Sequence, residues 1–271
     1  MREWRMVFGD VADVYDDVRP GYPDELVATA LAYAGWSDGG WPGNGPGNGR
    51  GDGPAVEVGA GTGKGTEAFV RAGVAVRCVE ADGRMAAVLR RRFAGSAVTV
   101  DVAQFEDWTP PAGGTLLLYC AQAWHWIDED RRCALAYDAL APGGTIALFA
   151  HTYVVADPRV KAAAREVEAA YAPELHREEP PEVPPEGHWL TGDLAGSGLF
   201  TDVRAHRFDY TVRYPKGRWL RLVETFSPVR SLLTEPRRAA FLGALGEVVD
   251  ANGGELAVRL DPVLALGRRP A

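Results

Sequence analysis

Short apolar runs alternate with amphipathic stretches along most of the chain. The apolar runs, rich in valine and leucine, predict strands, and the stretches between them predict helices. The predicted strands cover residues 55–59, 75–80, 97–101, 115–120 and 144–150. A first helix is predicted over residues 24–34, and later helices begin near Gly63, Gly83, Glu129 and Lys161. Alternation of this kind is typical of an α/β protein with a parallel sheet covered by helices on both faces.

The pattern changes after the fifth predicted strand. Residues 203–212 alternate as one long strand, residues 237–250 read as a helix, and residues 255–266 read as a final strand. Two segments, residues 157–198 and 215–234, fall outside the minimal sheet. Ligands of open α/β sheets bind beyond the carboxyl ends of the strands, where both segments would emerge, so we expect them to cap a substrate. The alternative is that they decorate the surface.

The composition favours one domain with a loop near its amino-terminal end. A chain of 271 residues with 46% hydrophobic content buries a large core, which predicts a single domain over residues 1–271. Residues 39–53 consist mainly of Gly, Pro and Asn. Because such a segment buries too little apolar area to offset the entropy cost of ordering, we predict a flexible loop there.

Charge and cysteine content limit the kinds of partner and metal that we expect the protein to bind. The net charge of -8 argues against a nucleic-acid partner, because phosphate binding needs a basic surface. The 3 cysteines show no Cys-x-x-Cys spacing, and no metal-ligand spacing is evident, so we expect no metal. No charged segment followed by an apolar run begins the sequence. We expect a cytoplasmic protein without a membrane partner, present as a monomer or a homodimer.

The most informative segment is a glycine loop after the first predicted strand. Residues 56–66 read Val-Glu-Val-Gly-Ala-Gly-Thr-Gly-Lys-Gly-Thr, and the next predicted strand ends at Glu80, 21 residues after Gly59. Glycines let the backbone turn sharply and let a ligand lie against the main chain. An acid at the end of the next strand can accept hydrogen bonds from two ribose hydroxyls. The pairing predicts a protein that binds a nucleoside.

Three common glycine motifs compete for this loop. A phosphate-binding P-loop fails because Val58 stands where that motif needs its first glycine, and Gly65 follows the lysine. A dinucleotide fingerprint needs glycine at position 64 or 66, where the chain has Lys64 and Thr66. The remaining pattern, Glu-x-Gly-x-Gly-x-Gly starting at Glu57, resembles motif I of the class I S-adenosylmethionine-dependent methyltransferases. An ordinary tight turn between strand and helix is the alternative.

Further segments resemble the same family in the expected order, and the likeness covers nearly the whole chain. The opening stretch resembles the amino-terminal segment of the small-molecule branch related to trans-aconitate methyltransferase. The segments are residues 8–15, 19–23, 79–82 with Met85, 105–108, 121–126 and 140–144. The resemblance implies a Rossmann-like, seven-stranded, mostly parallel sheet in the order 3-2-1-4-5-7-6, whose last two strands form an edge hairpin. It also implies S-adenosyl-L-methionine as cofactor, with S-adenosyl-L-homocysteine as product.

The resemblance further implies a cofactor site at the carboxyl ends of the first four strands, with one contact from the amino-terminal segment. The implied cofactor-binding residues are Glu57, Gly59, Ala60, Gly61, Thr62, Gly63, Glu80, Ala81, Met85, Gln104, Phe105, Ala121 and Arg19. Many relatives carry Asp at the position of Gln104, which faces the adenine amino group. A glutamine carbonyl can accept the same hydrogen bond, and its longer side chain can shift the ring.

The expected methyl transfer requires mainly that the protein position the two reactants. A sulfonium is already a good leaving group, so holding the nucleophile in line with the methyl group and excluding water supplies most of the effect. A general base matters only when the nucleophile arrives protonated. His125, just past the fourth strand, is the first candidate for base or substrate orienter, and His151, at the end of the fifth, is the second. His125 can equally be a packed loop residue between its two tryptophan neighbours.

The amino-terminal segment and the tryptophans supply the remaining candidates. Tyr15 can close over the methyl group and Arg19 can grip a carboxylate, or both can tie the segment down. Tyr22, Trp124 and Trp219 are candidate substrate contacts, with Trp124 expected in a pocket and Trp126 in the core.

The sequence therefore predicts methyl transfer to oxygen, nitrogen or carbon of a small molecule by in-line displacement. The alternatives are a protein of this fold that binds the cofactor structurally and catalyses a rearrangement or cyclisation, and a non-catalytic binding module.

Overall fold

The computed structural model describes Gly9 and residues 12–36, 54–176 and 183–271. The predicted flexible loop, residues 39–53, lies outside the described residues. The strands are β1 (Ala55–Val58), β2 (Val76–Glu80), β3 (Val98–Val102), β4 (Thr115–Ala121), β5 (Leu140–Ala150), β6 (Tyr153–Val155), β7 (Thr201–Arg207), β8 (Tyr210–Pro215), β9 (Glu255–Leu260) and β10 (Val263–Arg268). The helices are α1 (Ala12–Val18), α2 (Asp24–Ala34), α3 (Lys64–Arg71), α4 (Gly83–Arg92), α5 (Arg132–Ala139), α6 (Pro158–Tyr171), α7 (Trp189–Gly196), α8 (Lys216–Glu224), α9 (Ser227–Leu232) and α10 (Glu235–Ala251).

The chain forms two compact units. The large-sheet unit contains the described residues 21–36, 54–151, 183–208 and 262–271, and the small-sheet unit contains residues 12–20, 152–176 and 209–261. The first predicted capping segment is divided between them, with residues 157–176 in the small-sheet unit and residues 183–198 in the large-sheet unit. The second, residues 215–234, lies wholly in the small-sheet unit.

The large-sheet unit is built on a seven-stranded sheet in the order β3-β2-β1-β4-β5-β10-β7. Strands β1 to β5 are parallel, and β10 runs antiparallel to both β5 and β7. The predicted α/β fold and strand order are confirmed, with β10 and β7 in the places of the seventh and sixth strands.

Each face of this sheet carries a buried core, as expected for parallel strands covered by helices. Ala55, Cys78 and Tyr119 belong to a core on one face, with α2 and α3 residues such as Leu26 and Phe69. The alternating positions face the opposite core, as the two-residue period of a strand requires. That second core includes Val56, Val58, Val79, Leu118 and Cys120, with Leu190 and Leu194 of α7.

The last two predicted strands require a correction, because each is divided in two. Residues 203–212 form the end of β7 and the start of β8, and residues 255–266 form β9 and most of β10. The divisions, at residues 208–209 and 261–262, are where the chain passes from one unit to the other. Pro262 carries no N–H for a ladder, and its carbonyl accepts instead from the N–H of Phe208 at 2.9 Å.

The small-sheet unit has its own sheet and core. Its three strands lie in the order β6-β9-β8, all antiparallel. Helices α1, α6, α8, α9 and α10 contribute to a core that includes Tyr214, Leu222, Phe241 and Val258.

Candidate functional site

The glycine loop is a tight turn with a positive φ at Gly59, Gly61 and Gly63. The N–H groups of Gly59 and Ala60 both donate to the carbonyl of Val79, at 2.8 and 3.3 Å, which ties the loop to β2. Gly59 has φ 68° and Gly63 has φ 92°. A Cβ on Gly63 would lie 2.5 Å from both the Leu89 and Phe93 side chains. The loop is therefore held closely against β2 and α4.

Glu80 connects the end of β2 to this loop. Its carboxylate accepts from the N–H of Gly61 at 2.7 Å and from the N–H of Asp82 at 2.8 Å. Burial raises the pKa of Glu80, and these two backbone donors act in the opposite direction. Because a carboxylate has about four acceptor positions, Glu80 keeps capacity for a donor from a ligand. The structure thus places the predicted ribose-binding acid directly against the glycine loop.

Glu57 is fully buried beneath the loop. One carboxyl oxygen, Oε2, accepts from the Thr66 hydroxyl and from the Tyr119 hydroxyl, the latter at 3.0 Å. Burial raises the pKa of Glu57 to about 8, although both hydroxyl donors lower it. The other oxygen, Oε1, is buried with no hydrogen-bond partner among the described residues. A Cβ on Gly65 would collide with this oxygen, which explains a further glycine-specific position at the start of α3.

Other predicted cofactor residues gather at the same edge of the sheet. The side chain of Met85 lies 3.5 Å from where a Cβ on Gly61 would stand, and Met85 is buried. Phe105 is also buried, and it follows the half-buried Gln104 at the end of β3. The end of β3 is tied to that of β2 by a hydrogen bond from Ala103 N–H to the Glu80 carbonyl at 3.1 Å. Thr62 in the loop is buried, and its hydroxyl has no partner among the described residues. Ala81 immediately follows Glu80, and Ala121 is the last residue of β4.

The carboxyl ends of β4 and β5 are joined by Gln122, a residue that sequence reasoning missed. Gln122 has a positive φ of 59°. Its side-chain amide donates to the His151 carbonyl at 2.9 Å and accepts from the His151 N–H at 3.0 Å. Glutamine has no preference for a left-handed backbone, so the sequence does not predict this conformation. The contact with His151 that depends on it is visible only in the structure.

His151 is the more enclosed of the two histidine candidates. It is 8% exposed, and its ring centroid lies 5.4 Å from that of Tyr22. Tyr22 is itself buried and packs edge-on against Phe149 at 4.7 Å. The structure therefore brings the candidate base His151 and the candidate substrate contact Tyr22 together.

His125 lies on the surface among aromatic side chains. Its ring centroid is 4.6 Å from that of Trp126 and 6.5 Å from that of Trp189, which is 42% exposed. Partial desolvation by these neighbours, followed by the charge of Arg132, lowers the pKa of His125. His125 is thus favoured as a neutral imidazole.

Trp124 corrects the expected arrangement of the tryptophans. It is 2% exposed and belongs to the core, whereas Trp126 is partly exposed. Its indole N–H donates to Asp193 at 2.5 Å, and Arg132 binds the same carboxylate with two bonds of 2.7 Å. A buried indole whose N–H is already paired takes a core position, in place of the expected position in a pocket.

Three predicted site residues lie in the small-sheet unit. The Arg19 guanidinium stacks over the Tyr15 ring at 4.7 Å and donates to the Thr225 hydroxyl at 3.0 Å and the Thr225 carbonyl at 3.1 Å. Trp219 is 8% exposed and packs in that unit's core, with its ring 5.9 Å from that of Tyr214. These contacts hold the amino-terminal segment in place, and the roles of Tyr15, Arg19 and Trp219 toward ligands stay predictions.

The described residues form neither a metal-binding cluster nor a membrane-spanning helix. Within residues 12–36, 54–176 and 183–271, no group of three His, Cys, Asp or Glu side chains is arranged to hold a metal ion. In the same part of the chain, every helix is too short or too polar to cross a membrane.

Comparison with known sequences identifies the central part of the chain. The family described as "Methyltransferase domain" matches residues 55–144, which run from β1 into β5. Methyltransferases of uncharacterised specificity from Mycobacterium bovis and Mycobacterium tuberculosis are 28% identical over 151 residues. The match covers 56% of this chain and 54% of theirs, so the chain spans about half the length of the curated relatives it matches.

Comparison with solved structures extends the likeness to nearly the whole chain. A protein from Anaeromyxobacter dehalogenans, assigned as a type II methyltransferase, is 27% identical with a TM-score of 0.63, covering 93% of this chain and 99% of that one. Phosphoethanolamine N-methyltransferase 2 from Haemonchus contortus, solved with S-adenosylhomocysteine and phosphomonomethylethanolamine, shows the same fold. Its TM-score is 0.53 at 13% identity, over 99% of this chain and 60% of that one. The same enzyme with S-adenosyl-L-methionine gives a TM-score of 0.52 at 14% identity, over 97% and 57%.

Proposed function

We propose that this chain, whose residues 55–144 match a methyltransferase domain, is a class I, S-adenosylmethionine-dependent methyltransferase that methylates an oxygen, nitrogen or carbon atom of a small molecule. The observation that carries the proposal is the Glu80 carboxylate, which is hydrogen-bonded to the glycine loop and retains capacity for a further donor. The narrower likeness to trans-aconitate methyltransferases stays a prediction.

The residues around the loop fit the cofactor. Buried polar atoms in folded proteins nearly always have a hydrogen-bond partner, yet Glu57 Oε1 and Thr62 Oγ1 have none among the described residues. Two such atoms beside one glycine loop support a polar ligand there. Glu80 would hold the ribose, Met85 and Phe105 the adenine, and the loop with Glu57 the methionine portion. Bound S-adenosylmethionine supplies an electrophilic methyl group on a sulfonium.

The chain's own contribution is to orient the acceptor and exclude water. Of the two histidine candidates, the buried His151 beside Tyr22 is better enclosed than the exposed His125. We therefore assign His151 the role of base or orienter, and His125 becomes the second candidate. A small-molecule acceptor is favoured over nucleic acid by the net charge of -8.

Calorimetric titration of the wild type and of Glu80→Gln tests the cofactor site. The substitution keeps the size of the side chain but removes its charge and one acceptor. Since a hydrogen bond to a charged group is worth about 1.5–3 kcal/mol, we expect the Kd for S-adenosylmethionine to rise about 10- to 100-fold. Glu25→Gln, the same chemical change on the exposed face of α2, is the matched control and leaves the Kd unchanged.

Two outcomes would contradict the proposal. Binding of NAD in place of S-adenosylmethionine, or equal affinity in wild type and Glu80→Gln, would remove the basis for the site. Circular dichroism of both variants shows whether the loop region remains folded.

Formation of S-adenosylhomocysteine then separates transfer from structural use of the cofactor. A panel of small amines, phenols and carboxylates is incubated with enzyme and S-adenosylmethionine, and the thioether product is measured by chromatography. We expect at least one acceptor class to give turnover. Tight cofactor binding with no product from any class would favour the non-methylating alternative.

A further inference from the structure

Gln122 holds a backbone conformation that its residue type disfavours. Its φ of 59° is one of two positive values at non-glycine residues in the described ranges, the other being Asp202 at 52°. The left-handed region costs an ordinary residue about 1–2 kcal/mol. Such a conformation persists only where its surroundings enforce it, and these positions concentrate at functional sites.

Three hydrogen bonds enforce the conformation. The Gln122 N–H donates to the Phe149 carbonyl at 2.9 Å, which extends the β4–β5 ladder by one bond. The side-chain amide then pairs with both the N–H and the carbonyl of His151. β5 ends at Ala150, so His151 stands where the sheet stops supplying partners to its backbone. The amide of Gln122 supplies those partners instead.

The same turn of chain also borders the glycine loop. A Cβ on Gly59 would collide with the Cβ of Ala123, the next residue after Gln122. Ala121, on the other side, borders Gly65 and the unpaired oxygen of Glu57 at the start of α3. Gln122 therefore lies between the predicted cofactor loop and the backbone of His151. Its neighbours in sequence contact the loop, and its own side chain binds His151.

We propose that Gln122 is a positioning residue, which fixes the His151 imidazole for the methyl acceptor. The inference rests on the proposed function. His151 receives the proton that the acceptor atom loses on methylation, and Gln122 acts only through His151. The exposed His125 lies among aromatic rings and Arg132, without a comparable backbone clamp.

The first test is independent of turnover. Protein labelled with ¹⁵N-histidine has 5 histidines, and His151→Asn assigns the His151 signal. In Gln122→Gly, which keeps the favoured backbone but removes the amide, we expect the His151 signal to shift or broaden while the other four stay unchanged. Gln122→Asn tolerates the positive φ but is one methylene too short to pair with both groups, so the same change is expected.

Asp202→Gly is the matched control, because it relieves the other strained residue while leaving the amide clamp intact. An unchanged His151 signal in both Gln122 variants would overturn the proposal. So would an equal change in Asp202→Gly, since that result would trace to loss of backbone strain in general.

The second test measures turnover with the acceptor found in the product screen. Misplacement of a catalytic group by about 1 Å can cost about 100-fold, so we expect kcat to fall 10- to 100-fold in Gln122→Gly. The KM for the acceptor and the Kd for S-adenosylmethionine stay within about twofold, because only positioning is lost. The double variant with His151→Asn falls no further than His151→Asn alone.

Additive losses in the double variant would show that Gln122 acts independently of His151 and would refute the positioning role. A wild type that binds the cofactor but forms no S-adenosylhomocysteine would refute the proposed function and this reaction role together. The histidine spectra would still decide whether Gln122 positions His151, so the two failures are distinguishable.

Discussion

At the scale of single residues, Glu57 couples the predicted site to pH. Its pKa rises from 4.5 to about 8 because its carboxyl is buried, so the folded state keeps a proton that the unfolded chain releases. A group of this kind stabilises the fold fully below pH 4.5 and loses that contribution as the pH rises through 8. Between pH 6 and 9 the wild type should lose about 2–3 kcal/mol of unfolding free energy from this residue.

Glu57→Gln is expected to remove that loss. The amide keeps an acceptor for Thr66 and Tyr119 but does not titrate, so the difference in unfolding free energy between variant and wild type should grow with pH. Urea denaturation at pH 6 and pH 9 measures it, with Glu25→Gln as the exposed control. Parallel pH profiles for all three proteins would mean that Glu57 is ionised in the fold at neutral pH.

The sequence identifies residues whose type and spacing follow from chemistry, such as Glu57 and Glu80. It could not identify features that depend on distant neighbours. Trp124 occupies the core because Asp193, 69 residues away, receives its indole N–H. The backbone conformation of Gln122 depends on hydrogen bonds to Phe149 and His151, and no local sequence pattern predicts those bonds.

At the scale of elements, the turn into α3 depends on glycine for two separable reasons. At Gly63 any other residue would be strained by the positive φ of 92°, and its Cβ would also collide with the side chains of Leu89 and Phe93. At Gly73, just beyond α3, φ is 82° but a Cβ would meet nothing within 4 Å. Comparing substitutions at Gly63 and Gly73 therefore separates the free-energy cost of backbone strain from that of crowding.

We expect Gly73→Ala to cost about 1–2 kcal/mol of unfolding free energy from strain alone. Gly63→Ala should cost about 1–3 kcal/mol more, because overpacking adds to the same strain. Urea midpoints measured at constant m-value give both numbers. Equal costs at the two positions would show that Leu89 and Phe93 rearrange freely around the loop.

The elements of the large sheet follow from local patterns, whereas the last strands do not. The central strands β1, β4 and β5 are largely buried and mostly apolar, which makes them predictable, whereas the edge strand β3 is partly exposed. Alternation over residues 203–212 and 255–266 gives the right strand type but not the change of partner at residues 208–209 and 261–262. Partner choice in antiparallel strands depends on the whole fold, and only Pro262 marks one of the two breaks.

At the scale of the whole molecule, each compact unit has its own core. The large-sheet unit has one on each face of its sheet, and the small-sheet unit has one of its own. A unit with its own core can open and close as a cooperative body. All the predicted cofactor residues except Arg19 lie in the large-sheet unit. Ligand binding therefore offers a way to ask whether the predicted single domain is one cooperative body or two.

Hydrogen exchange with and without S-adenosylhomocysteine answers that question. A ligand at 100 times its Kd stabilises the state that binds it by about 2.7 kcal/mol, which slows globally exchanging amides about 100-fold. If the units open separately, amides of β1, β2 and β4 slow by that factor, while those of α10 and β9 in the small-sheet unit keep their rates. We expect this division, because the strands of the two sheets belong to separate cores. Equal slowing in both sets would instead show one cooperative domain, since amides on α10 and β9 would then exchange only when the ligand-binding unit also unfolds.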